Sequence, residues 1–138
     1  MEIHNILSPG PLFDKLTKSK KAFVKFYHDQ CGHCNAMLPA WNKLEDTLKD
    51  KEYNGHIISV HHDAIQGIKG PIKDFINGYP TLIEVLPGGE KGQEFSGERT
   101  FENLHKFVKN IFKKKNIIKG GKSKSKSKSK SKSKPKRK

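Results

Sequence analysis

The hydrophobic and polar residues of the chain follow two different periods. Short runs rich in β-branched and aromatic residues predict strands at residues 3–7, 22–27, 56–61, 81–86 and around 94–95. Apolar residues at helical spacing predict helices at residues 12–18, 31–49, 65–76 and 100–113, the third of them with an irregularity at Gly70-Pro71. Strands and helices therefore alternate until a closing hairpin and a last helix. This order predicts an α/β fold with a central mixed β-sheet and helices on both of its faces.

The strand at residues 22–27 and the helix after it carry the strongest patterns. The strand is apolar enough to be buried on both faces of a sheet, and Lys25 is its one charged residue. The helix is amphipathic and contains Pro39, which predicts a kink. The same periodicities predict inward-facing or core positions for Leu12, Phe13, Leu16, Phe26, Trp41, Phe75 and Phe107.

The positive charge of the chain is concentrated at its C-terminus. Residues 120–138 contain ten Lys or Arg, six Ser, two Gly and one Pro. With no apolar side chain to bury, they cannot offset the entropy of becoming ordered. The net charge of +14 falls to +4 without this tail, because ten of the 28 basic residues lie there and none of the 14 acidic residues does. We therefore predict a folded domain at residues 1–119 and a disordered Lys/Ser-rich tail at residues 120–138.

The basic tail predicts electrostatic partners. It has no aromatic residue among its charges, so any binding to nucleic acid or to acidic proteins is expected to be sequence-independent and sensitive to salt. A nuclear-import signal and a solubilising extension are the alternatives. Because the charge belongs mainly to the tail, it does not indicate that the domain itself reads nucleic acid.

The sequence shows no pattern of a secreted or membrane-spanning protein. We find no pattern typical of a secretory leader, and no run approaches the roughly 20 apolar residues of a membrane span. The expectation is a monomeric protein of the cytoplasm or nucleus that does not associate with membranes. In a reducing compartment, two cysteines are more often catalytic or metal-binding than a structural disulfide.

Both cysteines of the chain lie in the sequence Cys31-Gly32-His33-Cys34, which follows the best predicted strand and opens a helix. Free backbone N–H groups and the positive end of the helix dipole favour an anion there, so Cys31 can be a thiolate near neutral pH. Cys34 lies one turn further on, close enough to form a disulfide with it. A pair of structural or zinc-binding cysteines is the alternative.

The histidines outside this motif offer no convincing set of ligands. Zinc needs further ligands at a suitable spacing, and His61 and His62 are adjacent in sequence. We therefore predict no metal site and no cofactor. The following histidines are expected to be solvated or to satisfy structural hydrogen bonds: His4, His28, His56, His61, His62 and His105.

The chain resembles the thioredoxin superfamily, and within it the catalytic domains of protein disulfide isomerases, over about residues 13–112. Four landmarks carry this resemblance in the family's order. They are the strand with its Cys-Gly-His-Cys motif, Pro39 at the helix-kink position, Tyr79-Pro80-Thr81, and Gly97-Glu98-Arg99-Thr100. More loosely, the chain is similar to thioredoxin-like proteins of large DNA viruses, which implies a virion as an alternative location.

The resemblance implies a role for each residue of the motif. Cys31, the more exposed cysteine at the helix start, is the expected nucleophile, and Cys34 is the expected resolving thiol. His33 is expected to stabilise the thiolate, which makes the pair more oxidising than that of ordinary thioredoxins. Gly32 completes this catalytic motif.

The resemblance also implies roles for residues distant from the motif in sequence. Pro80 is expected to be a cis proline, with Tyr79 and Thr81 beside it, and to leave backbone groups free to pair with an extended substrate. Lys25 stands where many members carry a buried acid, although some isomerase-type domains have a lysine there. Lys25 and Arg99 are therefore candidates for tuning the pKa of Cys34.

These observations predict a thiol–disulfide oxidoreductase of the protein disulfide reductase or isomerase type. Its substrates would be proteins that contain disulfides or dithiols. The alternative from a different class is a redox-inactive thioredoxin-like binding module whose basic tail binds nucleic acid or an acidic partner.

Overall fold

A computed structural model of the chain describes residues 1–119, with side chains described through Phe112. The tail at residues 120–138, together with its predicted disorder, lies outside the described residues. The strands are β1 Glu2–Ile6, β2 Lys21–Tyr27, β3 Gly55–His61, β4 Thr81–Leu86 and β5 Glu90–Glu94. The α-helices are α1 Leu12–Thr17, α2 Gly32–Leu48 and α3 Phe101–Lys119.

The described strands form one mixed sheet in the order β1-β3-β2-β4-β5. Both β1 and β2 run parallel to β3, whereas β4 is antiparallel to β2 and to β5. The central strand β2 carries the apolar run that predicted burial on both faces, and its residues from Ala22 to Phe26 are all buried. The predicted central mixed sheet is confirmed.

Helices cover both faces of the sheet, as predicted. On one face, α2 and α3 bury Trp41 and Leu104 against Phe23 of β2. On the other face, Phe13 of α1 packs with Ile72 against the sheet. None of the described helices combines the length and the apolar character that are needed to cross a membrane.

The prediction of an α-helix at residues 65–76 is wrong, although the chain does leave the helical conformation at Gly70, where an irregularity was predicted. Two short 3-10 segments, His62–Gly67 and Pro71–Phe75, replace it. The backbone between them is extended at Ile68 and at Gly70, and proline disfavours a helical residue immediately before it. The isoleucines of this segment still pack into the core: Ile68 and Ile72 are buried, and Ile65 and Ile76 are partly buried. The apolar spacing therefore predicts which residues are buried but not a continuous helix.

Two predicted inward-facing residues are exposed. Leu12 is 43% exposed because it opens the short helix α1 at the surface. Phe75 is 40% exposed at the end of its 3-10 segment, where its ring faces the Lys91 ammonium at 5.4 Å. The prediction of the last strand around residues 94–95 is displaced toward the C-terminus, because β5 spans Glu90–Glu94. Its sequence is polar and contains no apolar run from which a strand could be predicted.

A largely buried ion pair between Lys21 of β2 and Glu84 of β4 connects the sheet to α3. Lys21 Nζ lies 2.9 Å from Glu84 Oε2 and donates a hydrogen bond of 2.6 Å to the carbonyl oxygen of Ile111. The other carboxylate oxygen of Glu84 accepts the backbone N–H of Gln93 at 2.9 Å. One carboxylate therefore connects β2, β4 and β5, and the lysine extends this connection to α3.

Candidate active site

Cys31 and Cys34 form a disulfide at the beginning of α2, with their Cα atoms 5.2 Å apart. Cys31 is the N-terminal capping residue of α2 and has an extended backbone conformation, whereas Cys34 lies within the first turn. Cys34 is only 3% exposed, whereas Cys31 is partly exposed. An incoming sulfur therefore reaches Cys31 more readily than Cys34.

The start of α2 provides a hydrogen-bond donor to Cys31. The backbone N–H of Cys34 donates to Cys31 Sγ at 3.0 Å. This N–H is one of the groups at a helix N-terminus that have no partner within the helix. When the disulfide is reduced, the same donor and the helix dipole stabilise a thiolate on Cys31.

Tyr79-Pro80-Thr81 lies directly beside the disulfide. The bond between Tyr79 and Pro80 is cis, as expected. The carbonyl oxygen of Tyr79 lies 3.3 Å from Cys31 Sγ. The sulfur carries no proton in the disulfide, but a reduced Cys31 thiol can donate to this oxygen. Thr81 Oγ1 donates to the Gly78 carbonyl at 2.6 Å, which anchors the turn that presents Tyr79 and Pro80.

The two residues between the cysteines are exposed. A side chain added at Gly32 would meet no described atom within 4 Å, so packing within the domain does not require glycine there. His33 is also exposed. Both residues therefore border the surface from which a substrate reaches Cys31. Their roles in catalysis stay predictions, as does the role of Arg99, which is exposed in the segment before α3.

Lys25 lies at the bottom of a cleft of about 370 Å³ between the sheet and α2. Although it is charged, its exposure is only 3%. Its ammonium lies 5.0 Å from the ring centre of Trp41 and 4.8 Å from that of Tyr27, so cation–π attraction replaces part of its lost hydration. The cleft also contains the carboxylate of Glu45, a residue of α2 to which the sequence analysis assigned no role.

Burial dominates the electrostatics of this cleft. Loss of hydration lowers the pKa of Lys25 to about 8, against the opposing attraction of Glu45. Burial raises the pKa of Glu45, while a hydrogen bond from Trp41 and the charge of Lys25 act in the opposite direction. Trp41 Nε1 lies 3.0 Å from both Glu45 Oε2 and Ser59 Oγ, so a shared N–H holds the carboxylate in place.

A cluster of imidazole and carboxylate groups braces the loop that carries Cys31. Asp29 Oδ2 accepts from His61 Nε2 at 2.9 Å, and His61 Nδ1 accepts the backbone N–H of Asp63. The His28 ring lies 4.3 Å from the His62 ring and 5.9 Å from the Tyr79 ring, measured between centroids. These histidines come from separate segments that meet only in the fold, so their spacing along the sequence does not predict their partners.

The family model described as Thioredoxin matches residues 8–110. The chain is 34% identical over 105 residues to a protein disulfide-isomerase of Humicola insolens, covering 75% of this chain and 20% of that protein. It is 33% identical over 106 residues to the protein disulfide-isomerase-like protein EhSep2 of Emiliania huxleyi, covering 75% of this chain and 46% of that protein.

Solved structures have the same fold. The J-Trx1 fragment of ERdj5 superposes with a TM-score of 0.64 at 22% identity, covering 79% of this chain and 52% of that one. The first thioredoxin domain of mouse protein disulfide-isomerase A4 has a TM-score of 0.59 at 25% identity, covering 76% of this chain and 73% of that one. The chain spans half the length or less of the curated relatives it matches. The matched family model and the disulfide-isomerase relatives show that this chain belongs to the thioredoxin family.

Proposed function

We propose that this chain exchanges thiols and disulfides with protein substrates, with Cys31 as the nucleophile and Cys34 as the resolving thiol. The disulfide between these residues and the disulfide-isomerase relatives support thiol–disulfide oxidoreductase function. The observation that carries the assignment of roles is the donation of the Cys34 backbone N–H to Cys31 Sγ at 3.0 Å. This donor favours a negative charge on the more exposed sulfur, which is the property a nucleophile needs.

The reaction proceeds in two exchanges. The Cys31 thiolate attacks one sulfur of a substrate disulfide, forms a mixed disulfide and releases the other substrate sulfur as a thiolate. The Cys34 thiol then loses its proton and attacks Cys31 Sγ, which forms the internal disulfide and releases the second substrate sulfur. The substrate gains two electrons and the cysteine pair loses two. In the reverse direction the oxidised pair accepts electrons from a substrate dithiol.

The substrate approaches along the segment before β4. Tyr79 and Pro80 are partly exposed and lie next to Cys31. A proline has no N–H to donate within the domain, and an extended peptide can pair with the backbone groups beside it. Unfolded or flexible polypeptides that carry a disulfide in an extended segment are therefore the proposed substrates. Protein disulfide isomerisation is the finer activity that the relatives' names suggest for this chain.

Trapping of the mixed disulfide tests the assigned roles. In Cys34→Ser the second exchange is blocked, so we expect a covalent complex with reduced-and-reoxidised insulin or scrambled ribonuclease on a non-reducing gel. Cys31→Ser is the matched control and should form no complex and show no insulin reduction. If a covalent complex forms in Cys31→Ser and not in Cys34→Ser, Cys34 is the nucleophile and Cys31 is the resolving thiol. If the wild type reduces insulin no faster than the variant in which both cysteines are replaced, the proposed function is overturned in favour of a redox-inactive binding module.

A further inference from the structure

A cluster of three potential metal ligands lies at the far end of the sheet from the cysteine pair. Glu2 and His4 are two residues apart on β1, so their side chains point to the same face. The parallel pairing of β1 with β3 sets Glu2 beside His56. His56 lies at the beginning of β3, whereas Cys31 follows the C-terminal end of the neighbouring parallel strand β2. The cluster therefore belongs to a part of the domain that the redox reaction does not use.

One atom from each side chain contributes to a nearly equilateral triangle. His4 Nε2 lies 3.2 Å from His56 Nδ1 and 3.4 Å from Glu2 Oε1. His56 Nδ1 lies 3.3 Å from the same Glu2 oxygen. In tetrahedral zinc sites the bonds to nitrogen and oxygen are about 2.0–2.2 Å long, which places neighbouring ligand atoms about 3.3–3.5 Å apart. The three atoms already have this spacing.

The buried histidine has its nitrogen directed into the triangle. His56 is 4% exposed, and its Nδ1 lies 3.2 Å from His4 Nε2 and 3.3 Å from Glu2 Oε1. In the neutral ring with its proton on Nε2, Nδ1 has a lone pair that faces Glu2 and His4, which is the form in which an imidazole binds a metal.

A shared proton satisfies this triangle less well than a cation does. A proton on His4 Nε2 can be shared with its two neighbours, but His56 Nδ1 and Glu2 Oε1 then still face each other through lone pairs at 3.3 Å. A divalent cation interacts favourably with all three atoms. The side chain of Glu2 is 61% exposed, so ions and water reach this site from solvent.

We propose that Glu2, His4 and His56 form a binding site for a divalent cation that accepts imidazole and carboxylate ligands in tetrahedral geometry, of which Zn²⁺ is the best fit. A water molecule completes the coordination. Lys20 is close enough to His56 to influence its charge and is the cation that opposes binding. Imidazole and carboxylate are both common zinc ligands, and three protein ligands with one open position is a recurrent zinc arrangement.

Calorimetric titration of the full chain with Zn²⁺ tests this proposal. The protein is kept oxidised so that the disulfide removes Cys31 and Cys34 as competing ligands. We expect one Zn²⁺ ion per chain. His4→Ala and Glu2→Gln, which change partly exposed side chains, should each weaken binding by at least about tenfold, the loss that even outer partners of a metal site produce. His105→Ala, a change on α3 distant in sequence from the cluster, should bind as the wild type does.

Binding of Co²⁺ is a second test of the proposed site. Co²⁺ in place of Zn²⁺ should give the intense visible absorption of tetrahedral cobalt in the wild type, and His4→Ala should lose it. The proposal is overturned if Zn²⁺ does not bind stoichiometrically, or if both His4→Ala and Glu2→Gln bind it as tightly as the wild type. Loss of binding in His62→Ala with retention in His4→Ala would assign zinc to the histidine cluster near Cys31 and would equally refute the proposed site.

Discussion

Cys31 Sγ accepts the backbone N–H of Cys34 at 3.0 Å, although the side chain of Cys34 itself is buried. The two cysteines of one disulfide therefore have opposite environments. One is open to an attacking sulfur and receives a hydrogen bond from the helix terminus, and the other is enclosed by the domain. This asymmetry is the basis for assigning different chemical roles to two residues of the same type.

The asymmetry predicts selective alkylation of the reduced protein. At pH 7 and low iodoacetamide concentration, Cys31 should be modified at least about tenfold faster than Cys34, because thiolate character and access both favour it. Mass spectrometry of tryptic peptides after short reaction times measures the ratio. Unfolding in urea is the control and should remove the difference. Equal modification rates in the folded protein would contradict the environments described for the two thiols.

Lys25→Met is predicted to stabilise the domain at pH 7. Methionine has a similar length and avoids the cost of burying an ammonium, so the free energy of unfolding should rise by about 1–3 kcal/mol. Urea denaturation of both proteins measures this. Lys106→Met changes an exposed lysine of α3 and should alter stability by less than about 0.5 kcal/mol. A destabilised Lys25→Met would mean that the attraction between Lys25 and the charge of Glu45 outweighs the cost of burial.

The pH dependence of this effect has a definite sign. The pKa of Lys25 is lowered from 10.5 to about 8 in the folded protein, so the unfolded chain binds more protons between these values. The cost of burying the charge is therefore complete below pH 8 and disappears as the pH rises toward 10.5. The stability advantage of Lys25→Met should shrink over this interval. An advantage that is constant from pH 7 to pH 10 would show that the cause is packing and not charge.

Glu84→Gln is predicted to destabilise the domain strongly. It leaves the Lys21 ammonium buried without its partner, a change that costs about 3–5 kcal/mol in comparable pairs. Replacing both residues, as in Lys21→Met with Glu84→Leu, should recover much of this loss. Glu94→Gln alters an exposed carboxylate on β5 and is the matched control. A loss below about 1 kcal/mol in Glu84→Gln would contradict the contribution assigned to the ion pair between Lys21 and Glu84.

The tail at residues 120–138 is predicted to act independently of the redox domain. Its deletion removes ten positive charges, so binding to DNA or RNA at low salt should be lost while insulin reduction is unchanged. Fluorescence anisotropy with a labelled oligonucleotide at two salt concentrations measures the first effect. Nucleic-acid binding that persists after the deletion would assign it to the domain.

The sequence was most informative where the signal is local. The apolar strand β2, the amphipathic helix α2 and the cysteine pair between them occupy consecutive residues, and Tyr79-Pro80-Thr81 forms a recognisable segment of its own. The order of these elements could therefore be predicted from the pattern, whereas the cis bond before Pro80 was expected only from the resemblance to the thioredoxin superfamily. The polar strand β5 was misplaced because its pairing with β4 comes from neighbouring backbone and not from an apolar pattern.

Groups that meet through strand pairing or helix packing could not be predicted. His4 and His56 are 52 residues apart and become neighbours only through the register of β1 with β3. Glu45 looks like an ordinary polar residue of an amphipathic helix until α2 packs over Lys25. The non-local contacts thus decide the electrostatics, while the local pattern decides which elements form.

The equilibrium of the purified protein with glutathione redox buffers tests the central claim most directly. If Cys31 and Cys34 form a reversible redox couple, the fraction of disulfide should follow the buffer with a single two-electron transition. Because His33 lies between the cysteines, the potential should fall between about −270 mV, as in thioredoxin, and about −120 mV, as in DsbA. A disulfide that stays intact to below about −300 mV would behave as a structural crosslink and would contradict the account.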